Sequence, residues 1–424
     1  MLRNFVLPDT LRSLKYKNYQ FFFAAQALSL TALWMHRVAM GWLVFRLTGS
    51  DMALGVVDFV TSLPILLFSA FAGSIIEHCD LRKTLAITQS CCVCVALILA
   101  FCTLTGWVNF KIVLIMSFTL GLIDSFELPC RYAIVNFLVD KKEDVSNAVA
   151  LNSMNFNMAR MAGPTLAGFI IHATGEGFCF ILNAFAYSST LLAIKQMKMT
   201  KPAIGKKEST KVSIIKETIE GIKAANSFAP SKYILLLITF TGFFAFPVIV
   251  LMPSMAKGVF AGTPQTLGFL LMGVAIGALV GSIVMATLKS SKYHSWWATR
   301  TCVAFGIAVS LFAISPNSYI GVILAAPVGF CMVVSTIACN TLLQNMAPDD
   351  SKSRIMSLYT IAIVGIPPFG SLLAGKMGDM MGTRASLFIC GLLASMCAYV
   401  IEHKLDIFHL KKEIITALNE QHVV

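Results

Sequence analysis

The chain has 424 residues, of which 57% are hydrophobic and 13% charged, and its mean hydropathy is +0.77. So few charges cannot clothe a water-soluble surface, which excludes a soluble enzyme or binding domain and calls for apolar helices that satisfy their own backbone in lipid. The net charge of +12 would suit a nucleic-acid partner, but Lys and Arg fall mainly in connections between apolar stretches, where they set membrane topology.

The opening MLRNFVLPDTLRSLKYKNY is charged and amphipathic, with no short apolar core and cleavage site before the first long span, so no cleaved signal peptide is expected. Apolar stretches of helix length run over 20–45, 52–77, 84–106, 111–138, 145–172 and 177–196, then over 233–257, 265–288, 298–315, 319–346, 355–376 and 384–402. The expected fold is an all-α membrane protein with twelve transmembrane helices. Arg3, Arg12, Lys15, Lys17, Arg82, Lys83, Lys141, Lys142 and the lysine-rich stretch Lys195–Lys232 mark one side as cytoplasmic, together with both termini. Connections 173–176 and 316–318 carry no Lys or Arg.

The one long polar segment divides the spans six and six. It predicts an N-terminal six-helix bundle over 1–196, a cytoplasmic linker over 197–231, a C-terminal bundle over 232–405 and a cytoplasmic tail over 406–424. Within the linker, KVSIIKETIEGIKAA reads as an amphipathic helix on the membrane surface. Faint echoes at near-constant offset, Gly73-Ser74-Ile75-Ile76 with Gly281-Ser282-Ile283-Val284, point to internal duplication. The 12 Cys sit largely within apolar stretches as small core residues, and the Cys91, Cys92 and Cys94 group lacks the His or second pair a metal would need. No metal and no cofactor is expected.

A charge at the bilayer centre costs about 2.5–3.5 kcal/mol or more, so ionisable residues within spans locate function. At about 100° per residue, Gln26, Ser29, His36 and Arg37 share one arc of span 1, and Asp58, Thr61, Ser62 and Ser69 one side of span 2. Span 4 aligns Ser117, Asp124, Glu127 and Arg131, with Glu127 and Arg131 spaced to pair. Asn152, Ser153, Asn155, Asn157 and Arg160 occupy half of span 5, opposite Leu151, Met154, Met158 and Met161, and span 10 adds Thr336, Asn340 and Gln344. Hydroxyls and amides also join helices without touching a substrate. His36, Arg37, Asp58 and Arg160 lie deep in their spans and read as functional, whereas Glu127–Arg131 reads as a structural or gating pair. Between Lys232 and Val400 the acidic residues are Asp349, Asp350 and Asp379, all in predicted connections. A proton-coupling carboxylate is therefore expected from Asp58, Asp124 or Glu127, with Arg37 or Arg160 pairing the ionised form of Asp58.

GSIIEHCDLRK at 73–83 resembles the major facilitator signature loop G-x-x-x-D-R-x-G-R followed by Arg or Lys: Gly73, Arg82 and Lys83 fit, Glu77 and His78 replace Asp and Arg, and Asp80 replaces Gly. Residues 17–55 resemble the first span of one branch, and 121–168 carry Arg160, Gly163, Pro164 and Gly168 in family-typical places. A stretch from Asn340 through SRIMSLY to PPFGSLLAG matches as well, whereas Asp58 does not. On these residues the chain resembles the drug:proton antiporter-like branch of the major facilitator superfamily, which includes the enterobactin exporter and macrolide or multidrug efflux proteins.

The resemblance implies a bacterial inner-membrane location, two six-helix bundles with alternating access around a central cavity, a proton gradient as energy source and a monomer. It assigns 73–83 to gating, so Glu77, Arg82 and Lys83 are expected to close the cytoplasmic side with the Glu127–Arg131 region, and Gly163, Pro164 and Gly168 to helix approach and bending. The expected activity is proton-coupled export of a siderophore or other secreted metabolite, or of drugs. His36, Arg37 and Arg160 suit an anionic substrate, and Met154, Met158 and Met161 an adaptable apolar pocket. Import of a siderophore or nutrient is the alternative direction. A membrane enzyme or sensor on the same fold has no support, because no HExxH, GxSxG or Walker motif is present. The two-fold repeat disfavours a channel.

Overall fold

A computed structural model describes residues 9–76, 79–135, 138–139, 141–197, 222–223, 225–226, 229–288, 291–347 and 349–407, and among these the chain is helical with no strand. After a 3-10 helix at Asp9–Lys15 come α1 (Lys17–Thr48), α2 (Asp51–Ile76), α3 (Leu81–Leu104), α4 (Phe110–Val135), α5 (Lys142–Thr174) and α6 (Glu176–Gln196). The second half has α7 (Ala229–Phe244), α8 (Pro264–Thr287), α9 (Ser291–Ala313), α10 (Ser318–Met346), α11 (Asp349–Thr360), α12 (Pro367–Met381) and α13 (Thr383–Ile407). Among the described residues eleven helical spans are long and apolar enough to cross a membrane. The remaining long helix, α5, has 33 residues, well beyond the roughly 20 a bilayer requires, and is set apart by its polar groups from Glu143 to Arg160. The expected linker helix lies almost wholly outside the described residues, as does nearly all of the expected tail.

Two compact units emerge, one of Met1–Leu43 with Leu63–Ser209 and one of Val44–Ser62 with Thr210–Val424. Residues 44–62 thus join the second unit, although chain order alone places them with the first six spans. The reason is a polar junction at the start of α2. The Asp379 carboxylate of α12 accepts the Asp51 backbone N–H and the Ser50 hydroxyl, both at 2.6 Å, so an anion from another helix caps the α2 N-terminus. The buried Asp51 carboxylate accepts the Thr383 hydroxyl at 2.7 Å, and Thr383 is in turn 2.7 Å from Ser254 Oγ.

In the first unit α3 packs on α4 and α6. A second core gathers Tyr19, Phe22, Leu85, Ile134, Leu151 and Ile194. Its 3-10 helix is tied to the start of α5, where Asp144 receives Lys15 Nζ and the Tyr16 hydroxyl at 2.7 Å and Arg12 Nε at 3.1 Å. Hydrogen bonds from Lys15 and then Tyr16 hold the Asp144 carboxyl below its ordinary range, so this tie is lost only as pH falls through that depressed value.

In the second unit α10 packs on α8 and α9, and α9 on α13. Gly273, Gly277 and Gly281, spaced by one turn on α8, face α10, where Gly329 lies against the Val274 backbone. A Cβ on Gly281 would stand 3.0 Å from Val334 Cγ2, and one on Gly277 would overlap the Ala326 carbonyl. Such small residues allow lipid-embedded helices to approach backbone to backbone.

Two spans depart from α geometry. α7 gives way to short helical turns at Pro247–Val250 and Met252–Ser254 and one π-turn at Met255–Val259, and another π-turn, Ile361–Gly365, joins α11 to α12. Pro247, Pro253, Pro367 and Pro368 lack the N–H that would continue the ladder, which accounts for each break.

Gly277→Val is expected to cost about 1–3 kcal/mol through overpacking, read as a lower melting temperature of the purified protein. Ile276→Val, on the exposed side of α8, is expected to leave it unchanged.

Candidate substrate and coupling site

The first unit brings α1 and α5 together at Gly163, where an added Cβ would lie 2.5 Å from Trp34 Cβ and 2.9 Å from the Thr31 carbonyl. This approach sets the Trp34 ring edge-on to Phe156 of α5, with centroids 5.8 Å apart. The Arg37 guanidinium lies 5.1 Å from the centroid of the same Trp34 ring, a cation–π arrangement. Arg160 follows Phe156 by one helical turn, is half-buried, and is paired by no carboxylate among the described residues. Asn155 anchors the same stretch of α5 by donating to the Phe23 carbonyl at 3.2 Å. The result is an aromatic pair flanked by two guanidinium groups, one from α1 and one from α5.

α4 brings two carboxylates, Asp124 and Glu127, to the same unit. Glu127 and Arg131 form a buried ion pair, 3% and 8% exposed, and Cys92 of α3 donates its thiol to Glu127 at 3.7 Å. Asp124, one turn earlier and half-buried, feels both Arg37 and Arg131. Arg37 therefore belongs to two constellations: it covers Trp34 and balances Asp124. Arg131 is shared in the same way between Asp124 and Glu127.

Around these charges lie buried polar atoms with no protein partner among the described residues: Gln26 Nε2, Ser29 Oγ and His36 Nδ1 on α1, both amide atoms of Gln89 on α3, and Asn183 Oδ1 on α6. His36 packs against the Phe180 ring with centroids 5.2 Å apart. Buried polar atoms of this kind call for partners from water or a bound molecule.

A family profile described as transmembrane secretion effector matches residues 9–423. The chain belongs to this major facilitator family. It is 26% identical over 396 residues to the staphyloferrin A transporter of Staphylococcus aureus, covering 92% of this chain and 97% of that protein. It is 23% identical to the multidrug efflux pump Tap of Mycolicibacterium fortuitum, covering 84% and 88%, and 23% identical to the enterobactin exporter EntS of Citrobacter koseri, covering 87% of each. Among solved structures, a point mutant of the nucleoside transporter NupG superposes with a TM-score of 0.70 at 12% identity over 91% of this chain and 99% of that one, which speaks to fold. The protein is a multi-pass membrane transporter, not an enzyme.

The other predicted residues are dispersed over the transporter. Asp58 is half-buried on α2, within the second unit, and engages a partner there or elsewhere in the chain. Asn152 is half-buried, and Asn157 bonds back to the Ser153 carbonyl of its own helix. Asn340 and Gln344 pair with each other at 2.7 Å on α10. In the loop motif, Asp80 caps α3 by accepting Arg82 N–H at 3.0 Å and Lys83 N–H at 3.3 Å. Arg82 donates to the Ile194 and Lys195 carbonyls at 2.9 and 2.8 Å, a cation on the negative end of α6. Gly73 lies near the end of α2, and Glu77 falls outside the described residues. α5 runs unbroken through Pro164 and Gly168.

Trp34 and Phe156 are not among the residues that the sequence singled out. An aromatic three or four residues from an in-span Arg was the available signal. The Glu127–Arg131 pair yields a clear expectation, since removing one partner of a buried pair strands the other at about 3–5 kcal/mol. Glu127 loses its cation in Arg131→Met and its charge in Glu127→Gln/Arg131→Met, so thermal stability should fall in Arg131→Met and largely return in the double variant. Equal losses in both would show that the pair is not the source.

Proposed function

We propose that this transporter exports a small organic molecule from the cytoplasm in exchange for protons, by alternating access in a bacterial cytoplasmic membrane with both termini inside. The observation that carries the reading is the double engagement of Arg37, which links an aromatic, basic face at Trp34, Phe156 and Arg160 to the carboxylate of Asp124. Guanidinium groups recognise carboxylates and other oxygen anions, and the aromatic pair adds a flat apolar wall.

The sign of coupling follows from electrostatics. A substrate anion that takes Arg37 weakens the positive field at Asp124, leaving Arg131 alone to offset its charge, and so favours its protonation, which moves anion and proton together. A substrate that places its anionic group on Arg160 and offers a cation or hydrogen-bond donors to ionised Asp124 displaces the proton, which is what exchange requires. The substrate class is therefore a molecule carrying both oxygen anions and donor groups, as a secreted metal-chelating metabolite does. The names of the relatives, a staphyloferrin A transporter and an enterobactin exporter beside multidrug pumps, favour the same class.

Metabolite profiling of medium from a deletion strain, with and without iron, identifies the compound: loss of one iron-regulated species supports the reading, and an unchanged profile with altered drug sensitivity turns it to drug efflux. With that compound, Arg160→Ala is expected to raise KM about ten-fold or more, the worth of a lost charged hydrogen bond, with Arg160→Lys intermediate.

For coupling, Asp124→Asn in reconstituted vesicles is expected to abolish transport driven by a pH gradient while substrate exchange persists. Full proton-driven accumulation by Asp124→Asn would move the role to Asp58 or Glu127. Proton flux in the same direction as substrate would establish the import alternative.

A further inference from the structure

The second unit carries a cleft of about 440 Å³ between α9 and α13, lined by none of the residues invoked above. Its origin is legible in the packing. Deeper in the bundle Gly306 and Gly391 let the two helices touch, an added Cβ lying 2.6 Å from Ser395 N in one case and 2.8 Å from Ser310 N in the other. Toward the end where α9 begins and α13 ends, the side chains grow to Arg300 and Tyr399 and border the cleft. Val303, Ala304 and Ile307 floor the gap, and Arg300, Glu402 and His403 line it.

Depth and charge decide what fits. Arg300 stands nine residues from the start of α9 at Ser291, and Glu402 and His403 stand five and four residues from the end of α13 at Ile407. From this polar mouth the apolar floor of Val303, Ala304 and Ile307 continues toward the middle of the helices. Arg300 is exposed and lies over the Trp296 ring at 5.0 Å, and Tyr399 and His403 stack with rings 3° from parallel. Glu402 is partly buried and is oriented by the Thr299 hydroxyl at 3.2 Å from Oε1. An arginine merely reaching the interface needs no concave floor and no carboxylate beside it; the cleft has both.

We propose that this cleft binds the headgroup of a zwitterionic, ammonium-bearing phospholipid, its phosphate on Arg300 and its ammonium on Glu402. Opposite charges at one site match a headgroup that carries both, whereas an anionic headgroup would meet the Glu402 carboxylate unfavourably. One acyl chain lies along Val303 and Ile307.

The full-length protein is reconstituted in bilayers of equal phosphatidylethanolamine and phosphatidylglycerol, and lipids retained on release are counted by native mass spectrometry. Wild-type protein should retain phosphatidylethanolamine about five-fold over phosphatidylglycerol. Glu402→Gln, which keeps the acceptor for Thr299, should erase the preference, and Arg300→Ala should reduce retention of both. Equal retention of the two lipids, or enrichment of phosphatidylglycerol, by wild-type protein overturns the proposal without any variant. A preference unchanged in both variants overturns it as well. None of these readouts depends on substrate or coupling ion, so failure here leaves the transport reading intact.

Discussion

A helix embedded in lipid has no water to which it can hand a charged side chain, and the interior of the first unit is arranged around that constraint. Glu127 takes its counter-charge in a buried position from Arg131, and Arg131 extends the same service to Asp124. Asp124 in turn shares Arg37, which the Trp34 ring also covers. A chain of four charged groups on two helices is thereby balanced through shared partners. Shared partners are what make such a chain responsive, because a change of charge at one member alters the environment of the next.

Close helix approach is the second condition. Gly163 brings α5 onto α1 and so creates the Trp34–Phe156 contact, while Gly273, Gly277 and Gly281 bring α8 onto α10. Where proline removes a backbone donor, as in the spans containing Pro247 and Pro367, the helix yields to short or π-helical turns, a feature that transporters concentrate along their pathways. Rigid glycine-packed helices and interrupted ones thus coexist in the second unit. The polar junction of Asp51, Asp379 and Thr383 fixes the start of α2 among them.

Much of this was legible in the sequence. Apolar runs of bilayer length located the spans because lipid imposes one requirement, internal backbone hydrogen bonding, that any such run must meet. The polar half of span 5 marked Asn155 and Arg160, and four-residue spacing identified Glu127–Arg131 as a pair. Loop similarity at 73–83 marked Asp80 and Arg82, and sequence alone was enough to name the superfamily.

Periodicity specifies which residues share a face, not which neighbour covers it. Gln26, His36 and Arg37 share one arc of α1, yet Gln26 and His36 are buried while Arg37 is exposed, because an arc of 100° straddles the border of the helix contact. Arg82 lies on the carbonyl end of α6 because a cation finds its partner in a backbone dipole that no motif spells out. Only the folded chain brought Asp124, more than eighty residues away in sequence, within electrostatic reach of Arg37, and only it drew residues 44–62 into the second unit. The sequence determined which polar groups must be sheltered from lipid; tertiary packing decided which of them shelter one another.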